Sequence, residues 1–328
     1  MRNSILKLGF SAVILCGSIT VTAQNGTEEK TDQYSQNKEA LVSQEEVSKS
    51  LHYLASDELS GRETGSEGIE KAAVYIENVF KESGVKPYFE TYRDSFTVKG
   101  TAAYNVVGMV EGNDPELKDE FIIIGAHYDH IGNGREVEGD VIANGANDNA
   151  AGTVAVLELA RKFAKTNENK RSVLFILFSA EEKGLLGSKH IAEKLKEQEL
   201  DLYTMFNLEM IGVPMQDKPY QAYITGYEKS NMAGKFNEYS GAEVLGMLPK
   251  AKEYKLFFRS DNHPFYEAFQ VPAQTISTFD FTNYDYYHHV SDEASGLDTA
   301  HMAGLIENIY PGLLKMSQTV EREIKLNQ

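Results

Sequence analysis

This chain predicts an α/β fold: a three-layer α/β/α sandwich around a mixed, largely parallel sheet. Three observations carry that reading. Short apolar runs alternate along the chain with longer segments whose apolar residues recur at helical spacing. The runs are apolar at nearly every position, as strands buried on both faces are. Residues able to do chemistry follow the C-terminal ends of those runs, where open α/β sheets collect their sites.

Taken in order, Glu45–Ala55 is helical, with Val47, Leu51 and Leu54 on one face, and Ser56–Glu67 is a glycine- and charge-rich loop. Glu70–Ser83 is a second helix, with Ala73, Ile76 and Phe80 at helical spacing, stopped by Gly84 and Pro87. Tyr104–Glu111 and Phe121–Ala126 are buried strands. Gly152–Lys165 is a helix, with Val156, Leu159, Ala160 and Phe163 forming its apolar stripe. Ser172–Phe178 is a strand, Ser188–Gln198 a helix, Leu202–Leu208 and Tyr220–Thr225 strands, Asn231–Ser240 a short helix and Ala273–Ser277 a strand. Thr299–Leu326 is a closing helical region, interrupted at Pro311. There is no internal repeat. A division near Gly112–Lys118 is the alternative to one domain, but that gap is short and lies between strand-like runs, so residues 45–328 read as a single catalytic domain.

The first 23 residues read as a secretory signal peptide: Arg2 and Lys7 at the start, the apolar run Leu8–Ile19, and the small-residue exit Val21-Thr-Ala23. The run is too short and too interrupted for a membrane span. The mature protein is expected to be secreted or periplasmic, with no membrane association after signal removal. Residues 24–44 are polar and form a flexible lead-in. Cys16 is the only cysteine, so the mature chain has no disulfide, thiol nucleophile or thiolate metal site. Losing Arg2 and Lys7 takes the formal charge from −17 to −19. So acidic a protein is not expected to bind nucleic acid or anionic membrane. Nothing in the sequence sets an oligomeric state.

The chemistry gathers beyond three strand ends and in two further loops. Glu181 and Glu182 follow Ser172–Phe178, and adjacent carboxylates resist joint ionisation unless a cation lies between them. One can then ligate metal while the other handles protons. His127 and Asp129 follow Phe121–Ala126 on one side of an extended segment, where Asp129 is placed to fix the histidine tautomer. Glu209 follows Leu202–Leu208. Asp148 lies in the loop Asn144–Gly152, rich in small residues, where it either caps the following helix or bridges two cations. In Tyr286-Tyr-His288-His289, one histidine is a ligand and the other a neighbour. Arg259–Phe265 is a polar turn with either a structural or a functional reading. Together these residues read as a zinc hydrolase site held by His, Asp and Glu.

From about Leu54 onward the chain resembles the M28 family of zinc aminopeptidases. The resemblance rests on Leu54-Ala-Ser-Asp-Glu-Leu-Ser-Gly-Arg62, Gly125-Ala-His-Tyr-Asp-His130, the Asn144–Gly152 loop, Ser179-Ala-Glu-Glu182, Asn207-Leu-Glu-Met-Ile-Gly212, Ser260-Asp261, Val271-Pro-Ala273 and the His288 loop. It implies the zinc exopeptidase fold and two Zn²⁺ ions. It makes His127, Asp148, Glu182, Glu209 and His288 the metal ligands, with Asp148 bridging. Glu181 becomes the general base and Asp129 the partner of His127, and a cis peptide follows Asp148. The Glu209 slot is usually aspartate in the aminopeptidases and often glutamate in related carboxypeptidases. The implied function is aminopeptidase action on peptide substrates. Tyr227, Tyr254, Tyr286 and Tyr287 are the candidate oxyanion donors, and the loops Tyr254–Phe258 and Phe279–Tyr287 the candidate side-chain pocket. The competing readings are a carboxypeptidase or dipeptidase on the same site, a glutaminyl cyclase, and a binding domain without catalysis. Relatives of the cyclase type tend to be rich in tryptophan around the pocket, and this chain has none. The complete ligand set argues against loss of catalysis.

Overall fold

The computed structural model describes residues 42–328; the signal segment and nearly all of the lead-in lie outside them. In chain order the elements are α1 (Gln44–Leu54), α2 (Glu67–Glu82), β1 (Lys86–Pro87), β2 (Arg93–Val98), β3 (Thr101–Val110) and β4 (Glu120–His127). Then follow β5 (Asn133–Val137), β6 (Asp140–Ile142), α3 (Ala151–Thr166), β7 (Ser172–Phe178), α4 (Leu186–Glu197) and β8 (Asp201–Leu208). The chain continues through β9 (Ala222–Ile224), α5 (Met232–Ser240), β10 (Leu245–Gly246), α6 (Pro249–Glu253), α7 (Asn262–Phe269), β11 (Ala273–Ser277) and α8 (Thr299–Gln318).

The main sheet runs β1-β3-β7-β4-β8-β11-β9-β10, with β2 also paired to β3. Its centre is parallel: β4 pairs with β7 on one side and β8 on the other, and β8 pairs with β11. The flanking pairs β3–β7 and β9–β11 are antiparallel. Strand alternation explains why the run in β7 is apolar from Val173 to Phe178. In β7, Val173, Phe175 and Leu177 face the layer of α1, α2, α3, α5 and α8, while Leu174, Ile176 and Phe178 face α4 and α7. Helix starts are capped as their sequences dictate: Ser66 accepts the amide of Ile69 at 3.2 Å and Asp298 that of His301 at 2.9 Å.

Several regions depart from the sequence reading. Helix α8 runs through Pro311 without a break and stops at Gln318. Proline inside a helix costs about 3 kcal/mol. Here the buried stripe Leu305, Ile306, Ile309, Leu313 and Met316 outweighs it. Beyond Gln318 the chain is not helical, because the buried guanidinium of Arg171 binds the carbonyls of Thr319 and Val320 and ties the tail down. Strand β2, the β5–β6 hairpin and α7 have no counterpart in the sequence reading. β2 and β5 mix exposed and half-buried positions, so neither carries a strong apolar period.

Candidate metal centre

The parallel centre of the sheet sets the site. β4 enters before β7 and β8 but lies between them, so chain connections leave to opposite sides at its carboxyl end and open a crevice there. His127 ends β4, Glu181 and Glu182 follow β7, Glu209 follows β8, and the loop after β11 carries His288. Asp148 comes from the loop before α3. Five of the sequence-read residues, Asp148, Glu181, Glu182, Glu209 and His288, line one crevice of about 500 Å³, while His127 and Asp129 are buried and are not part of its lining.

Asp148 stands at the middle of the cluster. Its Oδ1 is 3.3 Å from His127 Nε2, and its Oδ2 is 3.2 Å from His288 Nε2 and 3.8 Å from His130 Nδ1. Glu182 places Oε1 2.9 Å from His130 Nδ1 and Oε2 3.1 Å from His288 Nε2. Despite these distances, His127 Nε2, both nitrogens of His130, Glu182 Oε1 and His288 Nε2 have no hydrogen-bond partner. The atoms are near enough for hydrogen bonds but are not aimed for them. Buried groups left in that state are costly, and converging nitrogen and oxygen donors at such spacings suit a metal ion. His130, Asp148 and Glu182 alone bring ligand atoms within 4.8 Å of one another.

The outer partners set these positions. Asp292 is buried and accepts the amides of Asn147 at 2.7 Å and Asp148 at 3.0 Å, while Tyr284 donates to it at 2.5 Å. The Asp148–Asn149 peptide is cis. Asp129 accepts the amides of Glu181 at 3.1 Å and Glu182 at 3.4 Å. Its carboxylate lies 3.8 Å from His127 Nδ1, and the nearer partner of that nitrogen is the Asp129 main-chain carbonyl at 3.1 Å. Asp129 thus reaches His127 chiefly through its backbone and holds the Glu181–Glu182 turn with its side chain. Glu209 accepts a hydrogen bond from Ser260 and has no direct contact with His127 or Asp148 among the described residues.

Electrostatics point the same way. Burial, assisted by Asp148 and Glu182, raises Glu209 to about 7, and burial with Glu209 and Asp129 nearby raises Asp261 to about 7. Burial, with Asp261, Glu209 and Glu182 around it, also pushes the Glu181 carboxyl well above the usual range. Burial alone would lower His288, but Asp148 and Glu182 carry it up to about 10. The one guanidinium behind the cluster, Arg62, directs its N–H groups to the carbonyls of Leu54, Tyr128, Asn144 and Gly145 and not to the carboxylates. The excess negative charge calls for cations.

Sequence reasoning did not assign His130, Arg62, Asp261 or Asp292. Alternation in an extended segment puts His130 on the face opposite His127, yet the chain leaves the sheet at His127 and turns the second ring back toward Glu182. The two adjacent carboxylates were the available signal, since a pair needs more than one cationic or imidazole neighbour.

A parallel-centred α/β sandwich with imidazoles and carboxylates gathered at its strand ends has the zinc exopeptidase fold. Solved structures of that fold match closely in shape. The LapA aminopeptidase of Legionella pneumophila matches with a TM-score of 0.67 at 21% identity, over 86% of this chain and 74% of that one. A glutaminyl cyclase of Fimbriiglobus ruber matches with a TM-score of 0.65 at 19% identity, over 84% and 96% of the two chains. The sequence profile of Peptidase family M28 matches residues 105–311, and the chain belongs to that family. It is similar to a "Probable leucine aminopeptidase" of Trichophyton verrucosum, 28% identical over 69% of this chain and 58% of that protein. It is also similar to an aminopeptidase of Bacillus subtilis, 32% identical over 50% of this chain and 33% of the other. The aligned part thus spans under two thirds of these relatives.

Proposed function

We propose that the chain is a metal-dependent aminopeptidase, exported by its first 23 residues, that removes N-terminal residues from peptides. The observation that carries this reading is the set of buried histidine nitrogens and carboxylate oxygens that converge without hydrogen-bonding. Similarity to proteins named aminopeptidases supports the choice of reaction. The donor set fits two zinc ions, with His127, Asp148 and Glu209 toward one and Asp148, Glu182 and His288 toward the other. Bound there, such a pair supplies charge that acidifies a water and polarises the attacked carbonyl.

The chain's own residues do the rest. Glu181 takes the proton of the attacking water and hands it to the leaving amine. Its carboxylate lines the crevice and forms no hydrogen bond or ion pair with any described residue, so it is free to accept. Asp129 holds the backbone of Glu181 and Glu182 and so aims both side chains. Of the four candidate tyrosines only Tyr287 lines the crevice, and its hydroxyl is the proposed donor to the developing oxyanion. Leu185, Leu256, Phe258, Phe279 and Phe281 form an apolar wall suited to an apolar first side chain.

The test is cleavage of peptides with free and with blocked N-termini by the chain from Gln24 onward. The expected outcome is cleavage of the free set alone, abolished by chelation. Glu181→Gln should lower kcat by about 10²–10⁴-fold with metal content unchanged. Trimming of blocked peptides from the C-terminus would move the reading to a carboxypeptidase or dipeptidase, with Glu209 the residue to examine. Cyclisation of N-terminal glutamine without cleavage would replace it with a glutaminyl cyclase.

A further inference from the structure

His130 has no task in the two-zinc assignment above, yet it is fully buried, and neither ring nitrogen has a hydrogen-bond partner. An imidazole held dry and unpaired in this way costs stability unless something accepts its lone pair. The fold also goes to some length to hold it. The His130 amide donates to the Arg62 carbonyl at 3.3 Å. The ring packs against Gly145, where any Cβ would fall 2.5 Å from the His130 ring carbons.

Nδ1 of His130 points into the cluster, 2.9 Å from Glu182 Oε1 and 3.8 Å from Asp148 Oδ2. His288 Nε2 approaches the same two carboxylates at 3.2 and 3.1 Å, and the two imidazole rings meet edge to face with centroids 5.5 Å apart. Tetrahedral zinc with bonds of about 2.0–2.2 Å separates neighbouring donor atoms by roughly 3.3–3.6 Å. Four of the separations, 2.9, 3.1, 3.2 and 3.8 Å, straddle that range; those to Glu182 involve one oxygen for His130 and the other for His288. The ligand atoms that all lie within 4.8 Å of one another are those of His130, Asp148 and Glu182, and His288 joins them through its approach to the two carboxylates. The opposite side of Asp148 is poorer: among the described residues His127 is the imidazole within reach, at 3.3 Å, and Glu209 is turned to Ser260.

We propose that the two metal positions are unequal because His130 is a fourth protein ligand to one of them. Asp148, Glu182, His288 and His130 form a closed, resident cation site. His127, Asp148 and Glu209 form an open one that exchanges. Closed four-ligand sites hold structural metal, and three-ligand sites keep a position free for water or substrate. The inference rests on the two-metal reading and divides the labour within it: the resident ion neutralises the paired carboxylates and fixes the crevice, and the exchangeable ion faces the substrate.

The experiment is removal of metal in graded steps from the full mature chain, with zinc content measured directly and reuptake followed by calorimetry. Two equivalents leaving in separate steps are expected. His130→Asn and His130→Gln should release the late step early, weakening it at least 10–100-fold, the loss seen when even an outer partner of a metal ligand is removed. Glu209→Gln should weaken the early step and spare the late one. Circular dichroism and thermal unfolding of each metal-free variant establish that it folds. Because His130 is buried, a second readout uses the unaltered protein: with one equivalent of cobalt(II), two histidine rings should show paramagnetic shifts. Release of both equivalents together from the wild type, an unchanged late step in folded His130 variants, or one shifted ring would overturn the proposal. Uptake of a single equivalent, lost in His130→Asn and kept in Glu209→Gln, would sink the two-metal reading and leave His130 a ligand. No uptake would sink both.

Discussion

Asp148 sets one carboxylate oxygen 3.3 Å from His127 and the other 3.2 and 3.8 Å from His288 and His130, so its two oxygens face different imidazoles. Its neighbours behave differently from one another for equally local reasons. Glu182 sets its two oxygens 2.9 and 3.1 Å from the nitrogens of His130 and His288 without hydrogen-bonding geometry, while Glu181, one residue earlier, lines the crevice and pairs with nothing described. Tyr287 stacks on His288 with ring centroids 4.0 Å apart, which holds the ring at the wall of the crevice while the residue stays 45% exposed. Removing that hydroxyl by Tyr287→Phe should lower kcat by about 10²–10³-fold, with KM and metal content little changed. Steady-state kinetics on a free-amine peptide checks it. An equal rise in KM with kcat intact would mean that the hydroxyl binds substrate without touching the transition state.

Between elements, the buried guanidinium of Arg62 is the tie. It donates to Tyr128 O at 2.9 Å, Asn144 O at 2.7 Å and Gly145 O at 2.9 Å, and also to Leu54 O. One side chain therefore joins the end of α1, the segment after β4 and the Asp148 loop. Lysine has three donors and lacks the planar fork, so Arg62→Lys leaves at least one of these four buried carbonyls unpaired. An unpaired buried carbonyl costs about 1–3 kcal/mol, and a loss of at least that size is expected in denaturant unfolding of the metal-free protein. Because the tie spans both histidine-bearing and carboxylate-bearing loops, zinc affinity should fall as well. A variant with wild-type stability and zinc binding would show that water or neighbouring donors replace the fork. Asp292 does the complementary work from the far side, accepting the two amides that lead into Asp148.

At the scale of the molecule, strand order and charge meet at one place. The crossing of connections at β4 brings loops from distant parts of the chain over one crevice. Those loops carry mainly carboxylates, in a protein whose formal charge is already −17. Folding without a cation therefore works against like-charge repulsion and desolvation, and metal should act as a stabilising ligand of the folded state. A site held at a hundredfold its Kd contributes about 2.7 kcal/mol, which for a chain of this size is a Tm shift of several degrees. Thermal scans with and without a chelator should show that drop, and His130→Asn should remove most of it. Equal Tm values with and without metal would indicate a cluster already neutralised by protons.

The elements legible in the sequence were those specified by local pattern. Central strands β4 and β7 read clearly because both faces are buried and nearly every position is apolar, whereas β8 and β11 also bury Thr204, Asn207, Gln274, Thr275 and Ser277. Helices α1, α2 and α4 read clearly because each has one buried stripe, and α3 because it is apolar along most of its length and buried continuously from Ala151 to Ala160. The residues at the strand ends were visible for the same reason: polar groups directly after such runs have few structural uses. What the sequence could not decide depends on contacts between segments far apart in the chain. His130 becomes a partner of Glu182 across 52 residues because the chain leaves the sheet at His127. Arg62 meets Gly145 across 83 residues. Helix α8 survives Pro311 because the core on its buried side outweighs one lost hydrogen bond. Local periodicity pointed to the sandwich, and the polar residues after its strand ends supplied the candidates for the site. Only the tertiary structure decided which of them face one another, because that depends on where the loops cross.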